Sequence, residues 1–365
     1  MMFLPGWRRL QSTLLTVILV VLAGCGPPAE EPSHPSTATT IPTPEPLPAL
    51  PTLTPPPTIT LVAVGDVMLA RDLVVLMDRH GSTYPFERVA PILAGADIAV
   101  ANLEGTFTER GTPADKTYVF RTPPRHAVGL ARAGIDVVSL ANNHTLDYGS
   151  AGLRDTIAAL DSAGIAHSGA GESDVAARRP AILEVRGLRI AFLSYAATGD
   201  AVAAALGVAG VAWGTVETIS EDVRRAAEQA DVVVVSLHAG NEYADEPSST
   251  QQSLAQAAVE AGAMVVLGHH PHVLQRWELG RPWLIAYSLG NFVFDLDCDD
   301  LAQLGPAPFQ TVGLKVSLSA RGVEKVEPIP VYIDPLENRP RPARPVEAEA
   351  ILERIERLAD ELEAQ

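Results

Sequence analysis

Short apolar runs punctuate this chain, and each stops at a polar or ionisable residue. The run TITLVAVGD over 58–66 is rich in β-branched residues and ends at Gly65-Asp66, the pattern of a buried strand delivering a side chain at its C-terminal tip. The same design recurs at 96–102 (ADIAVAN), 134–141 (GIDVVSLA), 230–238 (ADVVVVSLH) and 262–269 (GAMVVLGH). Helical stretches are predicted at 87–94, 124–133, 150–163, 216–229 and 249–261, so the expected order is helix then strand throughout. Two runs between 181 and 195 flank Arg186-Gly187 and predict an antiparallel hairpin, and the strands after Trp283 are separated by turns. At 347–363, Ile351, Leu352, Ile355, Leu358 and Leu362 fall at helical spacing among charged residues and predict an amphipathic helix. The sum is an α/β fold with mixed sheets.

The first 57 residues follow other rules. Arg8 and Arg9 precede an apolar run at 10–22, too short for a membrane span of about 20 residues, so it reads as a secretory signal. The run closes on Leu22-Ala23-Gly24-Cys25, which resembles the lipobox of bacterial lipoproteins, and Cys25 is the expected lipidation site and mature N-terminus. Residues 26–57 are about one-third proline and bury too little apolar surface to fold, so they are expected to form a solvated tether. The expected organisation is a lipoprotein signal at 1–25, a tether at 26–57, one large domain at 58–340 and a terminal helix at 341–365. The expected location is extracytoplasmic, with the lipid holding the chain to the bacterial cell membrane.

The 365 residues carry 27 Lys and Arg against 44 Asp and Glu, a formal charge of −17 that argues against nucleic acid as a partner. Two cysteines, Cys25 and Cys298, are too few for a disulfide framework. Five of the nine histidines, His144, His238, His269, His270 and His272, lie just after predicted strands. Strand tips share one edge of an α/β sheet, so these histidines, Asp66, Glu104, Asn142 and Asn143 are expected to converge. Such nitrogen and oxygen donors suit divalent metals. In Gly268-His269-His270-Pro271-His272 a His-x-His pair leaves a strand, and in Asn142-Asn143-His144 an amide ligand adjoins an imidazole free to move a proton.

The motifs GDVMLAR, NLEGTFT, FRTPP, SLANNHTLDYG, SLHAGNEY, GHHPHVLQ and SLGNFVFD together resemble the bacterial capsule-synthesis family CapA, also called poly-γ-glutamate biosynthesis proteins, over about residues 58–300. That family is similar in turn to calcineurin-like metallophosphoesterases. The resemblance implies two stacked mixed sheets flanked by helices, a four-layer αββα sandwich, with one or two divalent ions (Mn, Fe or Zn) at the strand tips. It implies Asp66, Glu104, Asn143, His238, His270 and His272 as metal ligands and His144 as the acid, and Asn142 beside it is expected to share in the catalysis. Either His269 or His270 fits the motif, and His270 is the choice made. The phosphoesterase pattern Asp-x-His is broken by Met68, which leaves one metal position short of a ligand.

Arg121 in Phe120-Arg121-Thr122 is a candidate for binding an anionic group, and Asn291 a candidate for lining the cleft. The acidic run Asp295, Asp297, Asp299 and Asp300 is expected to be a solvated loop, with Cys298 a bystander. Two functions follow. One is a lipid-anchored metal-dependent hydrolase in which water activated by metal attacks a phosphoryl or amide-type centre and His144 protonates the leaving group. The other is a non-catalytic part of a polymer synthesis and export machinery, binding an anionic polymer or a partner and keeping a structural metal.

Overall fold

A computed structural model describes residues 57–363, which fall in one compact unit. The signal at 1–25, Cys25 and all but the last residue of the tether lie outside the described residues. Among the described residues no helix is long and apolar enough to cross a membrane.

Two mixed sheets form the centre. In the first, Thr58–Val67 is central. Ile98–Leu103, Val137–Ser139 and Ala166–Ser168 follow in parallel on one side of it. On the other side Gln310–Ser319, Gly322–Asp334 and Arg339–Pro342 follow in antiparallel order. Asn291–Val293 pairs with the tip of the central strand. In the second sheet Leu188–Ala197, Val232–Ala239, Val265–His269 and Leu284–Ala286 are parallel, with antiparallel edges at Ala181–Val185 and Trp277–Leu279. The edge hairpin turns at Arg186 (φ 52°) and Gly187 (φ 80°), the double positive φ that a two-residue hairpin loop requires.

Side-chain alternation then sets the layers. Ile59, Leu61 and Ala63 meet Ile190, Phe192, Val234 and Leu267 in a core between the sheets. Val62 and Val64 point the other way, into a cluster with Leu73, Leu130 and Leu153 from three helices. Beyond the second sheet, Val233, Val235 and Val266 pack with Ile219, Val223 and Leu254 of two more helices. The order is helices, sheet, sheet, helices, as expected. Each large side chain fully buried this way contributes about 1.5–3 kcal/mol.

Three expected helices form nearly as read, at Gly149–Ala163, Val216–Ala227 and Ser249–Ala261, the last opened by a capping box between Ser248 and Gln251. The other two are shorter than expected. The 87–94 prediction shrinks to Ala90–Leu93 after a 3-10 turn at Tyr84–Phe86, and 124–133 divides into Pro124–His126 and Val128–Ala133. A helix at Asp72–His80 directly follows the first strand, so the helix-then-strand order does not hold there. The acidic run is not a loop throughout: Asp297 caps the helix Cys298–Leu304 and Asp299 and Asp300 occupy its first turn, where the helix dipole favours negative charge. The terminal helix spans Pro345–Glu363, and its Ile351 and Ile355 join the core between the sheets.

Two glycines let the strand tips pass close to one segment. A Cβ on Gly65 would lie 1.9 Å from the Gly290 carbonyl oxygen, and one on Gly268 1.9 Å from that of Tyr287. The approach allows the Asp66 N–H to donate to Gly290 O at 2.9 Å, which holds Asn291 beside the tips. Replacing Gly65 by alanine must push backbone aside; an overpacking loss of about 1–3 kcal/mol is expected as a lower urea midpoint with an unchanged slope.

Candidate metal centre at the strand tips

The tips of both sheets bring Asp66, Asn102, Glu104, Asn142, Asn143, His144, His238, His269, His270, His272 and Asn291 to one buried place. Asp66 ends the central strand with no exposed surface. Its Oδ1 accepts from Asn102 Nδ2 at 2.8 Å and lies 3.2 Å from His269 Nδ1, while Oδ2 accepts from the His270 N–H at 3.3 Å. Burial works against its charge, yet His269 and His272 outweigh burial and hold the carboxyl well below its ordinary range.

Glu104 is buried as deeply, but neither of its oxygens has a hydrogen-bond partner. Its nearest polar neighbours are His144 Nε2 at 3.7 Å and His272 Nε2 at 3.8 Å. Burial pushes its carboxyl up to about 8. An orphaned carboxylate flanked by imidazoles is what a cation site looks like without its cation. The donor sets agree: one oxygen or nitrogen each from Asp66, Glu104 and His272, and from Glu242, His270 and His272, lie within 4.8 Å of one another. These groups could hold a divalent ion.

The orientation of His272 is fixed from behind. Asn291 Nδ2 donates to the carbonyls of His272 and Pro308 at 3.2 and 3.1 Å, which leaves its Oδ1 to accept from His272 Nδ1 at 2.9 Å. Nε2 is therefore the nitrogen presented to the cluster. Burial alone would lower the basicity of this ring, but the carboxylates of Glu104 and Asp66 raise it to about 9. His270 goes the other way, pushed down to about 4 by burial and by the neighbouring His272. Both residues have positive φ, 94° and 58°, a strained backbone that aims two nearby imidazoles inward.

His144 carries the proton chemistry. Its Nδ1 is 2.8 Å from Asp147 Oδ2, and Asp147 in turn pairs with Lys116 at 2.7 Å and accepts from the Phe120 N–H. The ring stacks on Phe120 at 4.1 Å, so Nε2 faces Glu104. Burial lowers its basicity further than Asp147 raises it, so the resting ring is neutral.

Several expected roles change. Asn142 does not face a substrate: Nδ2 donates to Asn102 Oδ1 and Leu103 O, and Oδ1 accepts from His144 N and Thr145 Oγ1, so it is a brace. Arg121 is outside the site, exposed, with its guanidinium 4.7 Å from the Tyr148 ring centre, because it is Phe120 that turns inward. His238 and Asn143 are brought in, but they bond each other: Asn143 Nδ2 donates to Asp200, and its Oδ1 faces His238 Nε2 at 2.9 Å. An ion bound there must part them. Met68 packs in an apolar cluster with Phe294 and Phe309, so no imidazole stands at that position.

A cleft of about 330 Å³ opens over Glu104, His144 and His272, walled by Phe120, Phe294 and Tyr243, with Arg71 at its rim. A more polar pocket of about 600 Å³, lined by Thr198, Asp200 and Glu242, lies beside His270.

The fold and site define a two-sheet α/β protein with a metal-type cluster at its strand tips. The profile of the bacterial capsule synthesis protein family PGA_cap matches residues 60–296, and the chain belongs to that family. Capsule biosynthesis protein CapA of Bacillus anthracis is 36% identical over 248 residues, 65% of this chain and 60% of that one. PGA biosynthesis protein CapA of Bacillus subtilis is 35% identical over 64% of this chain and 62% of its own. The chain thus spans about three fifths of the length of these relatives. A probable polyglutamine synthesis accessory protein of Mycobacterium tuberculosis is 33% identical over 55% of this chain and 56% of its own. Among solved structures, a 5'-nucleotidase precursor from Thermus thermophilus overlaps with a TM-score of 0.42 at 15% identity, covering 84% of this chain and 59% of that one.

Because the cluster holds a proton near neutral pH, shared between Glu104 and His272, and must release it to ligate an ion, metal affinity rises with pH up to about 9. Calorimetry of Mn or Zn binding at pH 7 in buffers of different ionisation enthalpy is expected to show net proton release; equal heats in all buffers would contradict it.

Proposed function

We propose that this chain is a surface lipoprotein of capsule or poly-γ-glutamate synthesis whose strand-tip centre is a metal-dependent hydrolase of the phosphoesterase type. The supporting observation is one juxtaposition: the orphaned oxygens of Glu104 lie 3.7 Å from a histidine whose other nitrogen is held by a carboxylate. Asp66, Glu104, His270 and His272 would hold the ion, with Glu242 reaching in from the rim. A bound divalent ion, Mn, Fe or Zn by its donors, supplies Lewis acidity and offsets the cluster's negative charge.

The remaining work falls to side chains. Neutral His144 offers Nε2 as a proton acceptor first, and the proton so collected is the one it returns to the leaving group. Asp147 fixes the tautomer and steadies the charged ring, while Phe120 limits its rotation. Arg71 takes over the anion-facing role expected of Arg121, although Asp295 at 3.7 Å shares its charge. The polymer synthase is a proposed partner, in keeping with relatives described as biosynthesis or synthesis accessory proteins, the export machinery is proposed beside it, and Cys25 is the proposed lipid attachment.

A second reading has its own support. Met68 and the Asn143–His238 bond leave a second metal position incomplete, which suits a structural ion in a non-catalytic subunit binding polymer or partner.

Metal content and turnover of the full chain separate the two. One to two equivalents of metal, lost in a His270→Ala, His272→Ala double variant that stays folded, are expected. With metal retained, His144→Ala is expected to lower phosphodiester hydrolysis by about 10²–10⁴-fold. Full metal load with phosphomonoester, phosphodiester and γ-glutamyl substrates all inert would sink the hydrolase and leave the binding subunit.

A further inference from the structure

Residues 201–214 (AVAAALGVAGVAWG) contain no charged side chain in a chain of net charge −17. They form a loop that satisfies itself through backbone: Ala204 N–H donates to Val211 O at 2.8 Å, Val211 N–H to Val202 O at 2.9 Å, and Ala205 and Val208 exchange bonds of 3.1 and 3.0 Å. Val211 and Ala212 at the base pack into the core, but the side chains toward the tip do not. Leu206 is 93% exposed, Val208 50%, Val202 49% and Trp213 38%. Single exposed apolar residues need no explanation, but four on one uncharged loop make a patch.

The chemistry of the loop fits lipid. Its paired N–H groups enter an apolar medium without leaving those donors unsatisfied, Leu206 leads at the tip, and the indole of Trp213 at the base suits the interface between headgroups and acyl chains. The loop carries no basic residue, so the attraction is apolar and does not depend on anionic headgroups. We propose that the 201–214 loop inserts into the bilayer that carries the chain, and so turns the metal centre toward the membrane surface. The proposal rests on the reading of the chain as anchored through Cys25. A spacer over 26–57, at no more than about 3.3–3.6 Å per residue, sets the farthest the domain can stand from that bilayer. Asp200, just before the loop, accepts from Asn143 Nδ2 at 3.1 Å and lines the polar pocket beside His270. Insertion would therefore place that pocket at headgroup level, where a membrane-borne phosphoester could enter.

The test uses the full chain with Cys298→Ser, carrying Leu206→Cys or, on the far edge strand of the second sheet, Leu279→Cys, each labelled with an environment-sensitive fluorophore. In phosphatidylcholine vesicles the probe at 206 is expected to be quenched by brominated acyl chains and shielded from iodide, and the probe at 279 to show the reverse. The Cys298→Ser parent, whose remaining cysteine is Cys25, takes no label when that sulfur carries lipid, so the anchor is read separately. A chain that floats with the vesicles while its 206 probe stays open to iodide overturns the proposal and points to a protein partner for the loop. A chain that does not float, but whose 206 probe shifts as vesicles are titrated in, keeps the inserted loop and sinks the anchor. No shift at millimolar lipid sinks both. Leu206→Asp is expected to weaken the lipid titration about tenfold or more.

Discussion

Glu104 sits where a charge is hardest to keep: buried, without a hydrogen bond, and close to the second carboxylate, Asp66. Burying an unpaired carboxylate costs several kcal/mol, so the cluster must either hold protons or bind a cation. The rest of the site follows from that choice. His272 is held by Asn291 so that its free nitrogen faces Glu104, and the strained φ of His270 and His272 turns both rings into the same small volume. A site so short of compensation holds its ligands ready for a cation and is correspondingly unstable without one.

The same place joins the two sheets. Asn102 from the first sheet reaches Asp66 and lies 3.3 Å from His238 of the second, and Asn143 meets His238 from the other side. Below these polar ties the contact between sheets is mainly apolar, with a buried hydrogen bond of 2.8 Å between Ser168 and Ser194. Packing therefore sets the distance between the layers, and the amide bonds at the tips set their register. This division of labour explains why Asn142 is spent on bracing. Its four bonds keep the turn that points His144 into the cleft.

Much of this was legible in the chain. Apolar runs ending in polar residues placed Asp66, Glu104, His144, His238, His270 and His272 at strand tips, because alternation and run length carry that information directly. What failed was information that is not periodic. Arg121 and Phe120 are adjacent, and nothing local says which turns inward. Lys116 lies on a loop far before its ion-pair partner Asp147, with no pattern to announce it. Asp147 did leave a signal, three residues after His144 in the turn, the spacing at which a carboxylate reaches back to an imidazole. Glu242 stood within a motif already noted, yet the register of its loop against His270 is a tertiary fact. Pro91 accounts for the late start of the helix at Ala90–Leu93, nothing periodic marks the break at Ala127, and the helix at 72–80 was masked by its paired valines.

Among the described strands the central Thr58–Val67 is made well before its antiparallel neighbour Gln310–Ser319. Order of synthesis and order of assembly are thus opposed. The emerging strand must wait, unpaired on that side, through some two hundred and forty residues of translation before the first sheet can close. A divalent ion could not act as an early template either, since the groups that could hold one span positions 66 to 272. A chain threaded unfolded through a membrane would meet this delay outside the cell, where an exposed apolar strand invites aggregation and proteolysis, so its survival there would depend on how quickly the last hairpin arrives.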